Sequence, residues 1–423
     1  MITLLARSSA GIQFCAVHLR TKNVPSNLTS RCIVWPRLVV QDSVFLSAAK
    51  RHIHTSRPRF INPMIVAVLR PVSKFLAVIV GRSFRKWWQA LPSNKKRLII
   101  QHLRRNKGRY VFGSGVVGAA TYYYYQSHTT TTLFTGRHRL MLFTPEQLLT
   151  LAQVQYETER EMYGDLTLPH NHPYSIQVKR VGLRLLRANK DIPQLYNKQW
   201  TISVIDLDVI NCEVLPSGDI FMFRGMMDLM KNDDQVATVL AHEISHAILE
   251  HSGEHLSYGY LRDLLILVPL AIIWAFLPSD GIAAITHWFT NRVVKVCMQL
   301  PHSRTLEMEA DTVGLRLAAK ACFDIREASA FWGAMDIGTQ HGEPPSWLST
   351  HPSNADRQQL LDNLMDEAIA IRDSFKCPRL SQKDPRQEVK MMLALKDKLL
   401  KGELSPTHQK NVPVPVVSEG RGH

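Results

Sequence analysis

Apolar residues recur at helical period through Val236–Glu250, V-A-T-V-L-A-H-E-I-S-H-A-I-L-E, with Val236, Leu240, Ile244, Ala247 and Ile248 on one stripe. Asp233 or Asp234 stands where a cap belongs. A second stripe, Leu306, Ala310, Val313, Leu317 and Ala318, runs through Ser303–Ala321. Trp200–Leu207 alternates instead, Val209–Leu215 continues into a second strand, and Pro216-Ser217-Gly218-Asp219 turns the chain into Ile220–Phe223. An antiparallel strand beside a helix offers an open edge that can pair with an extended peptide backbone. Further helices are expected at Pro145–Tyr163, Ile176–Ala188, Asp324–Met335, Ser353–Ser374 and Gln387–Lys401.

Three apolar runs depart from this amphipathic pattern. Tyr110–Tyr125 is uncharged, rich in small residues from Gly113 to Ala119, and closes on four tyrosines. Tyrosines suit a bilayer interface and small residues suit close helix contact. The run reads as one N-terminal transmembrane helix over 110–126, slightly shorter than the roughly 17–25 residues of an ordinary span. Leu264–Leu277, kinked at Pro269, and Ile282–Phe289 form a hydrophobic hairpin over 264–289, each arm too short to span. It either dips into a membrane or packs as core beside the cleft. Met64–Gly81 is broken by Arg70, Pro71 and Lys74, which suits an interfacial or partner-binding amphipathic segment better than a span.

Charge sorts these pieces into compartments. The net charge is +15, yet residues 1–145 carry 23 Lys/Arg and a single acid, Asp42, for +22, and the remainder is −7. The basic excess therefore sits on the leader, which removes the nucleic-acid reading that a pI of 9.6 invites. Residues 1–60, with Arg, Ser, Thr and Leu and almost no acid, have the composition of a mitochondrial presequence. Residues 61–109 form a basic amphipathic segment in which Trp87 and Trp88 suit anionic lipid headgroups. The positive-inside rule puts this segment in the matrix and whatever follows the span in the intermembrane space. A linker over 127–140, a catalytic domain over 141–402 and a disordered tail over 403–423 complete the division. Six cysteines make no disulfide framework here; Cys212, Cys297, Cys322 and Cys377 default to buried apolar packing, their pairing unreadable.

The first helix carries His242-Glu243-x-x-His246. Residues four apart share a helix face, so both imidazoles can converge on one metal ion. Glu243 can reach the attacking water without ligating, where a general base belongs. Catalytic zinc takes three protein ligands, and the second helix offers Glu307, with Asp311 on the same face and Glu309 pointing elsewhere. Asp311 is placed to hold a ligand imidazole. An acidic helix start is the plainer explanation of these carboxylates. His170 and His172 could bind metal but read as loop residues. His351-Pro352 followed by Ser353-x-x-Asp356 is, by itself, a turn and a capping box.

H-E-I-S-H followed by E-M-E-A-D resembles the membrane-linked zinc metallopeptidases that include the HtpX heat-shock proteases and the CAAX prenyl proteases. The likeness is strongest to the mitochondrial inner-membrane, stress-activated endopeptidases whose activity overlaps the m-AAA protease. It covers roughly residues 140–375, with Cys212 and Ser217 standing where the family has small residues. The resemblance implies an α+β fold: a mainly helical zincin-type metallopeptidase domain with a small antiparallel sheet. It implies one Zn2+ per subunit held by His242, His246 and Glu307, with Glu243 as base. His351 would stabilise the oxyanion, Arg357 would brace the site or Asp311, and Asn211 and Glu213 would line the substrate edge. The implied substrates are inner-membrane proteins such as the dynamin-like fusion GTPase, with homo-oligomerisation left open and no nucleic-acid partner. A prenyl-protein processing protease and a non-catalytic membrane scaffold or stress sensor with structural zinc are the rivals. Neither a nucleophilic Ser or Cys constellation nor a phosphate-binding Gly loop is present.

Overall fold

The computed structural model describes residues 63–400, apart from 133, 339–346, 348–350 and 352–354. The presequence at 1–60 and the tail at 403–423 lie outside the described residues. What is described is mainly helical with two small sheets. The helices that carry the argument are α1 (Pro63–Ala90), α2 (Ser93–Arg105), α3 (Lys107–Ser127), α4 (Pro145–Tyr163), α5 (Pro173–Ala188), α6 (Pro193–Tyr196) and α7 (Arg224–Leu229). They continue with α8 (Asp233–Ile248), α9 (His251–Phe276), α10 (Asp280–Val294), α11 (Leu300–Lys320) and α12 (Arg326–Gly338). Helices Ala355–Asn363, Met365–Ser374 and Arg386–Leu400 follow.

Helix α8 is buried from Gln235 to Ile248 except at His246, so it runs through the core rather than along its surface. Its cap is Asn232, whose side chain accepts from the Gln235 N–H at 2.9 Å, and not Asp233 or Asp234, which fall in the first turn. Asparagine at that position reaches the orphan amides, while the two aspartates already have helical backbone. Around α8 pack α5, α11, α12 and a three-stranded sheet of β3 (Thr201–Ile205), β4 (Cys212–Val214) and β5 (Asp219–Phe223). The order is β3-β5-β4. The expected hairpin is the antiparallel β4/β5 pair, and β3 joins β5 in parallel on the other side. Both outer strands, β3 and β4, are therefore edges, and β4 packs on α8. Helices α8 and α11 approach closely at Gly314, where a Cβ would lie 3.1 Å from Ala241 C and His242 N.

Four expectations change. Residues 127–140, read as a linker, contain an antiparallel ribbon, Thr129–Thr131 with His138–Leu140, whose exit packs in a buried cluster with Leu148 and, partly buried, Leu256 and Tyr260. Three-residue strands are too short to show a period. The apolar run from 264 is the second half of α9, a helix continuous through Pro269, and its first half belongs to the catalytic core. It is the described helix long and apolar enough to cross a membrane, with mean hydropathy 1.7. Helix α3 covers the expected span with no buried residue. Helix α1 is also continuous through Pro71 and packs along α9, with Arg70 and Lys74 on Asp263 at 2.6 and 3.0 Å, and Arg82 and Arg85 on Asp280. Finally, Cys322 and Cys377 form a disulfide, Cys212 is buried and free, and Cys297 is exposed.

Candidate metal centre

Helices α8 and α11 bring three of the expected side chains to one point. The Nε2 atoms of His242 and His246, one turn apart on α8, are 3.0 Å from each other. The Glu307 carboxylate, from α11, lies 3.3 Å from His242 Nε2 and 3.6 Å from His246 Nε2. His351 adds a fourth donor: its Nδ1 is 3.3 Å from His242 Nε2 and 3.0 Å from Glu307 Oε2. One ligand atom from each of the four falls within 4.8 Å of the others. A tetrahedral ion with ~2.0–2.2 Å bonds sets its ligand atoms roughly 3.3–3.6 Å apart. The donor set and its spacing therefore fit zinc. His170 and His172 are not part of this group, and His172 instead caps α5 by accepting from the Tyr174 N–H.

The ligand candidates are backed by charged partners. Asp311 Oδ1 accepts from His242 Nδ1 at 3.0 Å, and Arg357 grips both Asp311 oxygens at 2.6 and 2.7 Å. Arg357 also lies 3.5 Å from Glu307 and stacks over Trp332 at 4.4 Å. Burial opposes a charge on His242, yet Asp311 and Glu307 outweigh it and raise its pKa to about 9. Burial, helped by neighbouring histidines and, at His351, by Arg357, outweighs Glu307 at His246 and His351 and pushes both down. Burial also opposes ionisation of Glu307, but His351 and His246 hold its carboxyl well below the usual range.

Glu243 is 1% exposed, and its Oε1 is buried with no hydrogen-bond partner. Burial, with Glu307 and Glu213 adding, pushes its pKa up to about 8 against the pull of His242 and Arg357. His351 Nε2 stands 3.7 Å away. The Asn211 Oδ1 is likewise buried without a partner, just ahead of the β4 edge. Glu213, on β4, has its pKa raised to about 7 by burial, helped by Glu159.

Sequence reasoning missed four neighbours. Trp347 stacks flat on His351 with centroids 3.9 Å apart, and Trp332 stacks on Trp347 at 5.7 Å. His251, the first residue of α9, sets its Nδ1 2.9 Å from His246 Nδ1. Arg137, in the ribbon, reaches Glu309 and Glu254. The one available signal was a histidine five places beyond His246, with nothing in the sequence to say that the chain doubles back.

The pattern that defines peptidase family M48 matches residues 175–365, which include the whole cluster. The chain is similar to "Metalloendopeptidase OMA1, mitochondrial" of Homo sapiens, 37% identical over 383 residues, covering 85% of this chain and 73% of that protein. The Danio rerio protein of the same name is 38% identical over 343 residues, covering 79% and 72%. "Mitochondrial metalloendopeptidase OMA1" of Schizosaccharomyces pombe is 29% identical over 290 residues, covering 67% and 81%.

Proposed function

The chain belongs to peptidase family M48 and is a mitochondrial metalloendopeptidase, and from that premise we propose a zinc-dependent endopeptidase anchored in the inner membrane that cleaves membrane proteins. The observation that carries this reading is the convergence of His242 Nε2, His246 Nε2 and Glu307 beside the unpartnered Glu243 Oε1. His242, His246 and Glu307 would hold the ion. Zinc would supply a Lewis acid that polarises the scissile carbonyl and acidifies water.

The chain's own groups do the rest. An extended substrate adds along the β4 edge, and Asn211 Oδ1 accepts a backbone N–H from it. Glu243 takes the proton of the attacking water and delivers it to the leaving amine. His351 donates to the oxyanion, held in orientation by the flat face of Trp347. Asp311, clamped by Arg357, keeps the His242 proton on Nδ1 and so leaves Nε2 free to ligate. A closed four-donor site is the hallmark of structural zinc, and His351 within donor distance favours that second reading. Against it stands Glu243, a carboxylate buried at a cost that a structural site does not require.

Helix α3 is the proposed span: its 21 residues reach ~31 Å, against ~30 Å of hydrocarbon. Helix α9 is also long and apolar enough to cross, but its first half, with buried His251, Glu254 and Asp263, is held in the catalytic core, so Leu264–Phe276, ~20 Å, is the part left to enter the bilayer with α10. Leu264, Val268, Ile272 and Phe276 on α9, and Ile285, Trp288 and Phe289 on α10, present that face. The basic α2 then lies on the matrix side and the metal centre in the intermembrane space. Inner-membrane proteins such as the dynamin-like fusion GTPase are the substrates this reading implies.

The test is cleavage of a membrane-tethered substrate by the full chain in zinc-loaded liposomes. Cleavage should stop with a chelator and return with zinc. Cleavage that persists in chelator would end the proposal.

A further inference from the structure

The two histidines of α8 are supported differently. His242 hands its Nδ1 proton directly to a carboxylate that an arginine holds, Asp311 with Arg357. His246 has no carboxylate at its Nδ1; it has the ring of His251, 2% exposed and 2.9 Å away. Glu250 takes up a left-handed backbone, φ 57°, between α8 and α9, and that turn folds His251 back onto the last turn of α8. On its far side His251 Nε2 meets Glu309 Oε2 at 3.3 Å. Arg137 donates to Glu309 from Nε at 2.9 Å and Nη2 at 2.6 Å, and to both oxygens of Glu254 at 2.6 Å. Thr135 also donates to Glu309, His302 to Glu254 at 3.2 Å, and Arg139 to the Leu249 carbonyl.

Two imidazoles can share an Nδ1···Nδ1 contact only if one carries the proton and the other the lone pair. Glu309, kept as an acceptor by Arg137, fixes which. His251 must then donate from Nε2, which leaves its Nδ1 bare and requires the proton of His246 on Nδ1. His246 Nε2 is thereby free for a metal ion. We propose that Arg137, Glu309 and His251 form a positioning relay that holds His246 in its ligating tautomer, a counterpart to the Arg357–Asp311 pair behind His242. Partners of this kind set ligand orientation and basicity, and losing one costs roughly 10–100-fold in metal affinity. Arg137 comes from the ribbon directly after α3, so the relay also ties the metal centre to the segment that follows the span. The inference rests on the zinc reading above.

The experiment uses the full chain in liposomes and measures zinc affinity by competition with a chromophoric chelator, alongside kcat and KM at saturating zinc. His251→Phe and Glu309→Gln should each weaken zinc binding 10–100-fold, with KM unchanged and kcat restored by excess zinc. Arg137→Ala should do the same and Arg137→Lys should recover most of the loss. Zinc affinity within twofold of wild type in all of these variants would overturn the relay, as would a lowered melting temperature with unchanged affinity. His246→Ala keeps the two readings apart. If it too binds zinc normally, the metal site itself is wrong; if it alone loses zinc, only the relay fails.

Discussion

Glu243→Gln tests chemistry and electrostatics in one variant. The carboxyl is buried, unpartnered at Oε1, and burial pushes its pKa from 4.5 up to about 8. A carboxyl whose folded pKa is raised costs stability progressively as pH climbs from its unfolded value to its folded one. At pH 7 that cost is about 3 kcal/mol, from 1.36 kcal/mol per pKa unit over the interval above 4.5. Glutamine resembles the protonated acid, so the variant should match wild type near pH 4.5 and exceed it by about 3 kcal/mol at pH 7. Denaturant midpoints of the full chain in detergent, with chelator present, read this directly. In the zinc-loaded enzyme the same change removes the proton acceptor, and kcat should fall roughly 10²–10⁴-fold, about 3–5 kcal/mol of barrier. Zinc content should stay at wild-type level. A stability difference that is flat between pH 5 and pH 7 refutes the burial argument, and kcat within tenfold of wild type refutes the base.

Two further outcomes follow. His351→Ala should leave zinc affinity intact and lower kcat roughly 10²–10³-fold if the imidazole serves the oxyanion; a fall in zinc affinity, read by the same chelator competition, would make it a ligand instead. Zinc uptake by the metal-free protein at pH 7 should release close to two protons, measured in a weakly buffered titration. Release of none would contradict the shifts at His242 and Glu243.

The parts of the site that the sequence made legible are those governed by local spacing. His242, Glu243 and His246 lie on one helix, so period alone puts the two imidazoles together, and Glu307 was within reach because its helix has its own stripe. The β4/β5 hairpin was legible from Pro216–Asp219, which can do little but turn. The relay was not, because it depends on the single left-handed residue Glu250 and on a ribbon whose strands are three residues long. Glu309 was correctly expected to point away from the ion, but where it points is a tertiary matter. Pro269 and Pro71 misled for a physical reason. A proline removes one helical hydrogen bond, and the mutual packing of α1 and α9, fixed at both ends by Asp263 and Asp280, offsets that loss. The Cys322–Cys377 pairing joins residues 55 apart and has no local signature.

Charge explains why these pieces belong together. Glu243, Glu254, Glu307, Glu309 and Asp311 are all buried, and two buried or half-buried guanidiniums, Arg137 and Arg357, face them. Five carboxylates against two fixed cations leave a deficit that a low-dielectric interior does not tolerate. Protons meet two of the three charges: one is favoured on His242, whose pKa rises to about 9, and one on Glu243, whose pKa rises to about 8. On the proposed reading, a dication at the His242–His246–Glu307 point would supply the same two charges, so both protons would become expendable on its binding. His242 Nε2 must be bare to ligate, and Glu243 must be ionised to accept a proton. On the proposed zinc reading, His242 and Glu243, whose pKa values burial and their carboxylate neighbours raise, are the two groups that would give up protons to a bound dication, and that loss would also ready Glu243 as a base.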